Sequence, residues 1–102
     1  MLTKETILAI LKEQYPYLAS EYGITRLGIF GSFAQGTATD DSDIDLLAEF
    51  NRPVGFKFIE LAEYLEQLLG RKADVLTPAG LNGVRNKRIA QSIRETLEYV
   101  QP

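Results

Sequence analysis

The first amphipathic stretch lies at the N-terminal end of the chain. Residues 3–20 place apolar side chains at helical spacing, which predicts a first helix. Thr3 is the predicted N-cap, because its hydroxyl can accept a free backbone N–H. Pro16 is expected to kink or shorten the helix, since proline has no N–H, and Gly23 marks its exit. The apolar positions of this helix are Ile7, Leu8, Leu11, Tyr15 and Leu18.

Two further stretches also show helical periodicity. Residues 56–69 predict the most regular helix of the chain, and Gly70 predicts its end. The stripe predicted for this helix consists of Phe58, Ile59, Ala62, Leu65 and Leu69. A final helix is predicted from Val84, Ile89, Ile93 and Leu97.

Three short runs between the helices favour β-structure. Residues 25–30, 44–50 and 72–77 read as strands, and the run "LEYV" suggests a short closing strand. The "GSFAQG" that follows the first strand is expected to turn into a short helix. Residues 78–83 predict a turn-rich connection. The predicted order is α-β-β-α-β-α, and 102 residues without a repeat indicate one domain, residues 1–102.

Composition narrows the chemistry that the chain can perform. It contains neither cysteine nor histidine, which excludes disulfides, thiolate nucleophiles and imidazole bases. The lack of cysteine fits a reducing compartment, and we expect a cytoplasmic protein. The net charge of −3 makes direct nucleic-acid binding a poor expectation. Charges interrupt the N-terminal apolar pattern, so neither a signal peptide nor a membrane span is expected.

Acidic residues gather before the second predicted strand. Asp43 and Asp45 are two residues apart, so on a strand they point to the same face with Cα atoms roughly 6 to 7 Å apart. A solvated acidic loop is the simplest interpretation of such a run. Two carboxylates on one face nevertheless repel each other, and a hard divalent ion such as Mg²⁺ removes that cost.

A third acidic residue favours a metal-binding site over a solvated acidic loop. Asp74 lies between apolar neighbours inside the third predicted strand. Alone, it would be an ordinary surface residue. If that strand pairs beside the second, Asp74 can join Asp43 and Asp45. Three convergent carboxylates can hold two cations roughly 3.5 to 4 Å apart, an arrangement used in phosphoryl-type displacement.

Gly31-Ser32 follows the first strand directly. Gly31 allows close backbone approach, and free N–H groups at a helix start suit phosphate oxygens. Ser32 adds a hydroxyl donor, although it is equally compatible with a plain N-cap. A Walker A loop fails because Thr37 stands where lysine is required. An EF-hand fails because Leu46 replaces its glycine.

These motifs together resemble the DNA polymerase β-like nucleotidyltransferases. Within them, the chain is most similar to the minimal nucleotidyltransferase group, the antitoxin-type partners of HEPN-domain proteins. The string "GSFAQGTATDDSDIDLLAEF" (residues 31–50) and the later "GRKADVLTPAGL" carry the resemblance, which spans nearly the whole chain. It implies an α/β fold of the α+β kind, with a small mixed sheet flanked by helices.

The resemblance also implies an activity and its residues. It implies Mg²⁺-dependent transfer of a nucleoside monophosphate, with AMP from ATP expected, to a hydroxyl of a HEPN-domain toxin. Gly31 and Ser32 would bind the triphosphate, while Asp43, Asp45 and Asp74 would be both catalytic residues and metal ligands. The family usually has arginine where this chain has Gln35. The alternative is a binding module that neutralises its partner by contact alone.

Overall fold

The first helix is longer than its sequence pattern predicts. In the computed structural model, which describes residues 2–100, α1 runs from Lys4–Tyr22 and continues through Pro16. The expectation that Pro16 shortens the helix is therefore wrong. Thr3 is the N-cap as predicted, and its hydroxyl accepts the Thr6 N–H at 3.2 Å. Gly23 ends the helix in the left-handed conformation, φ 75°.

Four strands form one mixed sheet. They are β1 (Ile24–Phe30), β2 (Ile44–Phe50), β3 (Ala73–Leu76) and β4 (Glu98–Tyr99), arranged in the order β3-β2-β1-β4. β2 runs antiparallel to β1 and parallel to β3, and β4 runs antiparallel to β1. This mixed sheet with flanking helices confirms the expected fold class, including the short closing strand.

The remaining helices connect these strands. They are α2 (Gly31–Gln35), α3 (Lys57–Leu69), α4 (Pro78–Asn82) and α5 (Lys87–Thr96). Gly70 ends α3 as predicted. The stripe predicted for α3 is partly wrong, because Ile59 is 61% exposed and the buried residues of α3 are Leu61, Leu65 and Leu69.

The C-terminal part of the chain differs most from the structure that its sequence predicts. The turn-rich connection at 78–83 contains the short helix α4, which Thr77 caps by accepting the Gly80 N–H at 3.1 Å. The final helix begins only at Lys87, after the N-cap Asn86. It buries Ala90, whereas Ile89, a member of the predicted stripe, is 52% exposed.

The two faces of β2 have different surroundings. Ile44, Leu46 and Ala48 are completely buried and pack in one core with residues of α1 and α3. Asp45 and Leu47 point to the opposite face, because side chains alternate along a strand. Within residues 2–100, no helix is both long and apolar enough to cross a bilayer.

Candidate active site

The parallel pairing of β2 and β3 brings two of the predicted acids together. Asp45 lies directly opposite Asp74 in the register, and Leu46 lies opposite Val75. The backbone N–H of Ile44 also donates to the carbonyl of Lys72 at 3.0 Å. This register places Asp74 on the same sheet face as Asp45, as the sequence predicted. Asp43 lies just before β2.

The electrostatics of Asp45 show that the acids influence one another. Burial raises the pKa of the half-buried Asp45 carboxyl above its ordinary value, and the negative charges of Asp74 and Asp43 raise it further. Asp74 is exposed, so it faces solvent from the same edge. A raised pKa means that the charged carboxylate is disfavoured there, and a cation would reverse that.

The acids supply suitable donors for a divalent ion without forming a finished cage. Carboxylate oxygens are the ligands that Mg²⁺ prefers. Among residues 2–100, however, no three acidic side chains are already arranged as a metal site. The donor set therefore fits Mg²⁺ by its chemistry, and the side chains would have to move closer together around a bound ion.

Gly31 lies against the acidic pair. Phe30, the residue before it, pairs with Asp45 in the β1–β2 register. Gly31 itself has φ 75°, a conformation that favours glycine, and a Cβ atom added to it would collide with Asp45 Oδ2. A glycine is therefore required here both for conformation and for space, and the turn that it begins adjoins the carboxylates.

Ser32 occupies the next position of this turn. It is half-buried in α2, and it does not cap that helix, because the N-cap residue is Phe30 and no side chain caps there. The plain N-cap interpretation of Ser32 is therefore wrong. Gln35, the departure from the family pattern, is exposed at the C-terminal end of α2.

Thr96 has a role in the site that no sequence pattern indicated. This last residue of α5 accepts the Gly31 N–H through Oγ1 at 3.2 Å. Its hydroxyl donates back to the carbonyls of Ser92 and Ile93, at 3.0 and 3.2 Å. The N–H of Gly31 is thus engaged by α5 instead of being free, and Thr96 holds the turn in place.

Arg71 was also missed, and it connects the two acidic segments. Its Nη1 donates to the carbonyls of Thr39, Asp40 and Ser42, at 3.0, 3.0 and 2.9 Å. Those carbonyls belong to the loop that leads into Asp43, while Arg71 itself precedes β3. One guanidinium therefore fixes the loop before β2 relative to the segment that carries Asp74. Arginine before a strand has many other uses, so this contact cannot be inferred from the sequence.

Comparison with known proteins identifies the family. A model of the nucleotidyltransferase domain matches residues 4–99. The protein adenylyltransferase MntA of Thermococcus cleftensis is 40% identical over 101 residues, covering 98% of each chain. The chain belongs to the nucleotidyltransferase domain family. The resemblance found in the sequence and the expected enzyme class, a nucleotidyltransferase, are thereby confirmed.

Solved structures agree with this nucleotidyltransferase assignment. A structure described as a minimal nucleotidyltransferase has a TM-score of 0.67 and 30% identity, covering 99% of this chain and 97% of that chain. A toxin–antitoxin crystallised with AMP-PNP has a TM-score of 0.64, covering 88% of this chain and 72% of that chain. At 20% identity, the second likeness bears on the fold alone.

Proposed function

We propose that this nucleotidyltransferase moves AMP from ATP to a hydroxyl of a HEPN-type toxin and so acts as its antitoxin. The observation that carries the proposal is the contact between Gly31 and Asp45, with Asp74 paired beside Asp45. This arrangement sets a glycine turn against two acids. The name of the Thermococcus cleftensis relative, protein adenylyltransferase, supports a protein acceptor. The word adenylyltransferase in that name also supports AMP as the transferred group, and the resemblance of the sequence to the partners of HEPN-domain proteins supports a toxin partner.

Each site residue then has a role. Asp43, Asp45 and Asp74 would hold Mg²⁺, with two ions expected, and the bound metal would supply charge stabilisation for the phosphoryl oxygens. Gly31 leaves room for the triphosphate beside Asp45, and the Ser32 hydroxyl donates to a phosphate oxygen. Thr96 keeps the turn in place. The lack of cysteine suits the reducing cytoplasm, where we propose that the pair acts.

The proposed transfer of AMP forms one bond, breaks one bond and needs a base for one proton. The acceptor oxygen attacks the α-phosphorus, a new P–O bond forms, and the bond to the β-phosphate oxygen breaks to release pyrophosphate. The proton of the acceptor hydroxyl passes to a base. Asp74 is the best placed of the three acids for this task, because it is exposed while Asp43 and Asp45 are half-buried. An acceptor on another protein can therefore reach it.

A label-transfer experiment tests the proposal. The chain is incubated with Mg²⁺, a purified HEPN-domain toxin and ATP radiolabelled on the α-phosphate. We expect label on the HEPN-domain protein, no label when the γ-phosphate carries it, and no transfer after Asp43→Asn and Asp45→Asn. If the toxin is silenced in the complex without any label, neutralisation by contact is the function instead.

A further inference from the structure

Positive charge is concentrated in the segment that forms α4 and α5. Residues 78–96, which form both helices, contain the cations Arg85, Lys87, Arg88 and Arg94 and a single acid, Glu95. The segment therefore carries a net charge of +3, and because the whole chain has −3, the remainder carries −6. So uneven a distribution, in a protein that is acidic overall, marks one surface as attractive to anions.

Three of these four cations border a cleft between α4 and α5. The cleft has a volume of about 420 Å³. Its lining includes the buried apolar side chains Leu81 and Ala90, and around them Arg85, Lys87 and Arg94. We call this surface the basic cleft. An apolar floor with a cationic border suits a ligand that has both apolar and acidic groups.

The cations of the basic cleft have no carboxylate partner within the described chain. The ion pairs found in residues 2–100 join Lys4 to Glu98, Arg26 to Glu49 and Lys57 to Glu21, all outside the cleft. Arg94 donates to the Asn82 side-chain oxygen at 3.5 Å, which is a neutral and long contact. The charges are therefore available to an incoming anion.

The basic cleft and the candidate active site both involve α5 but lie on different faces of it. The α5 residues that line the cleft, Lys87, Ala90, Gln91 and Arg94, share one face of the helix. Thr96, whose hydroxyl accepts the Gly31 N–H, does not line the cleft, because positions two apart on a helix do not face each other. A ligand in the cleft is therefore bound outside the Gly31 turn and leaves the nucleotide site free.

We propose that the basic cleft binds an acidic segment of the protein that receives AMP. The proposal rests on the proposed function insofar as the acceptor is a protein. A triphosphate would make no use of the apolar floor. A nucleic acid carries a charge on every nucleotide, and its further phosphates would meet the net charge of −6 on the rest of the chain.

Two double variants with equal charge provide the test. Arg85→Gln with Lys87→Gln removes two cations from the basic cleft. Arg88→Gln with Lys12→Gln removes two exposed cations that do not line it, one of them on the same helix. Binding of a fluorescent peptide of glutamate and leucine is measured by anisotropy, beside oligothymidylate and tripolyphosphate as competing anions.

We expect the cleft double variant to weaken peptide binding about tenfold and the control double to match the unaltered chain. In AMP transfer, the cleft double should raise the KM for the protein acceptor and leave the KM for ATP unchanged. Equal weakening in both doubles, no peptide binding at all, or tighter cleft-dependent binding of either competitor would overturn the proposal. Peptide binding needs no nucleotide, so lost transfer with intact peptide binding refutes the proposed function alone.

Discussion

The side chains on the two faces of β2 affect the stability of the fold in opposite ways. The face toward α1 and α3 carries Ile44, Leu46 and Ala48, all completely buried in an apolar core. The other face carries Asp45, whose pKa is raised by burial and by its acidic neighbours Asp74 and Asp43. One face therefore stabilises the fold, whereas the charged Asp45 carboxylate on the other face costs stability, a cost that a bound cation would remove. Because successive side chains of a strand point to opposite faces, a substitution can alter the core face or the acidic face of β2 alone.

The largest effect is expected on the core face. Leu46→Ala removes a completely buried side chain and should lower the free energy of unfolding by about 2–5 kcal/mol. Ile59→Ala is the matched control, because Ile59 is 61% exposed and its loss should cost less than about 0.5 kcal/mol. Urea denaturation of both variants measures the difference. Equal losses would refute the assignment of the two residues to core and surface.

The glycine turn provides the next contrast. Gly31 and Gly36 both have positive φ, 75° and 77°, so alanine should strain either by roughly 1–2 kcal/mol. Only at Gly31 would the new Cβ meet Asp45, since nothing lies within 4 Å of a Cβ at Gly36. We expect the rise in melting temperature with Mg²⁺ and ATP to disappear in Gly31→Ala and to persist in Gly36→Ala. The reverse pattern would move the nucleotide away from this turn.

Arg71 allows a test on the side of the sheet that carries the acidic residues. Arg71→Ala leaves three loop carbonyls without their donor and should cost about 1–3 kcal/mol of stability. It should also raise the Mg²⁺ concentration needed for thermal stabilisation, because the loop before Asp43 loosens, and Arg71→Lys should restore part of this. Lys72→Ala, at an exposed neighbour, is the control. If the Mg²⁺ requirement is unchanged, Arg71 serves the fold alone.

The smallest expected effect is a gain in stability, and it concerns Asp45. Without metal and at neutral pH, Asp45→Asn should raise the melting temperature by a few degrees, because it removes a charge that the folded state disfavours. Because the pKa of Asp45 is raised in the folded state, its stability cost is absent in acid. The cost develops as the pH rises through that pKa and persists at higher pH. The advantage of asparagine should therefore vanish in acid, where Asp45 is protonated in both states. A lower melting temperature at neutral pH would show that Asp45 supports the fold.

The sequence was most informative where one local pattern determines the structure. The sequence predicted that Asp74 can join Asp45 if the third strand pairs beside the second, and the register shows that pairing. The common face of Asp43 and Asp45 stays a prediction, because Asp43 lies before β2. Stripe assignments failed at Ile59 and Ile89, both exposed, because periodicity does not show which of two adjacent apolar residues faces the core. The contacts of Arg71 and Thr96 join segments far apart in the chain. Such contacts depend on the assembled fold, and no local pattern predicts them.

Asp74→Asn tests most directly whether the acidic face performs nucleotidyl transfer on a partner protein. With the HEPN-domain toxin and ATP radiolabelled on the α-phosphate, we expect transfer to fall by at least about 10²-fold, the lower end of general-base effects. Thermal stabilisation by Mg²⁺ and ATP, and formation of the complex with the toxin, should largely persist. Toxin activity should return when transfer is lost. Undiminished transfer in Asp74→Asn, or continued silencing of the toxin without transfer, would contradict the account.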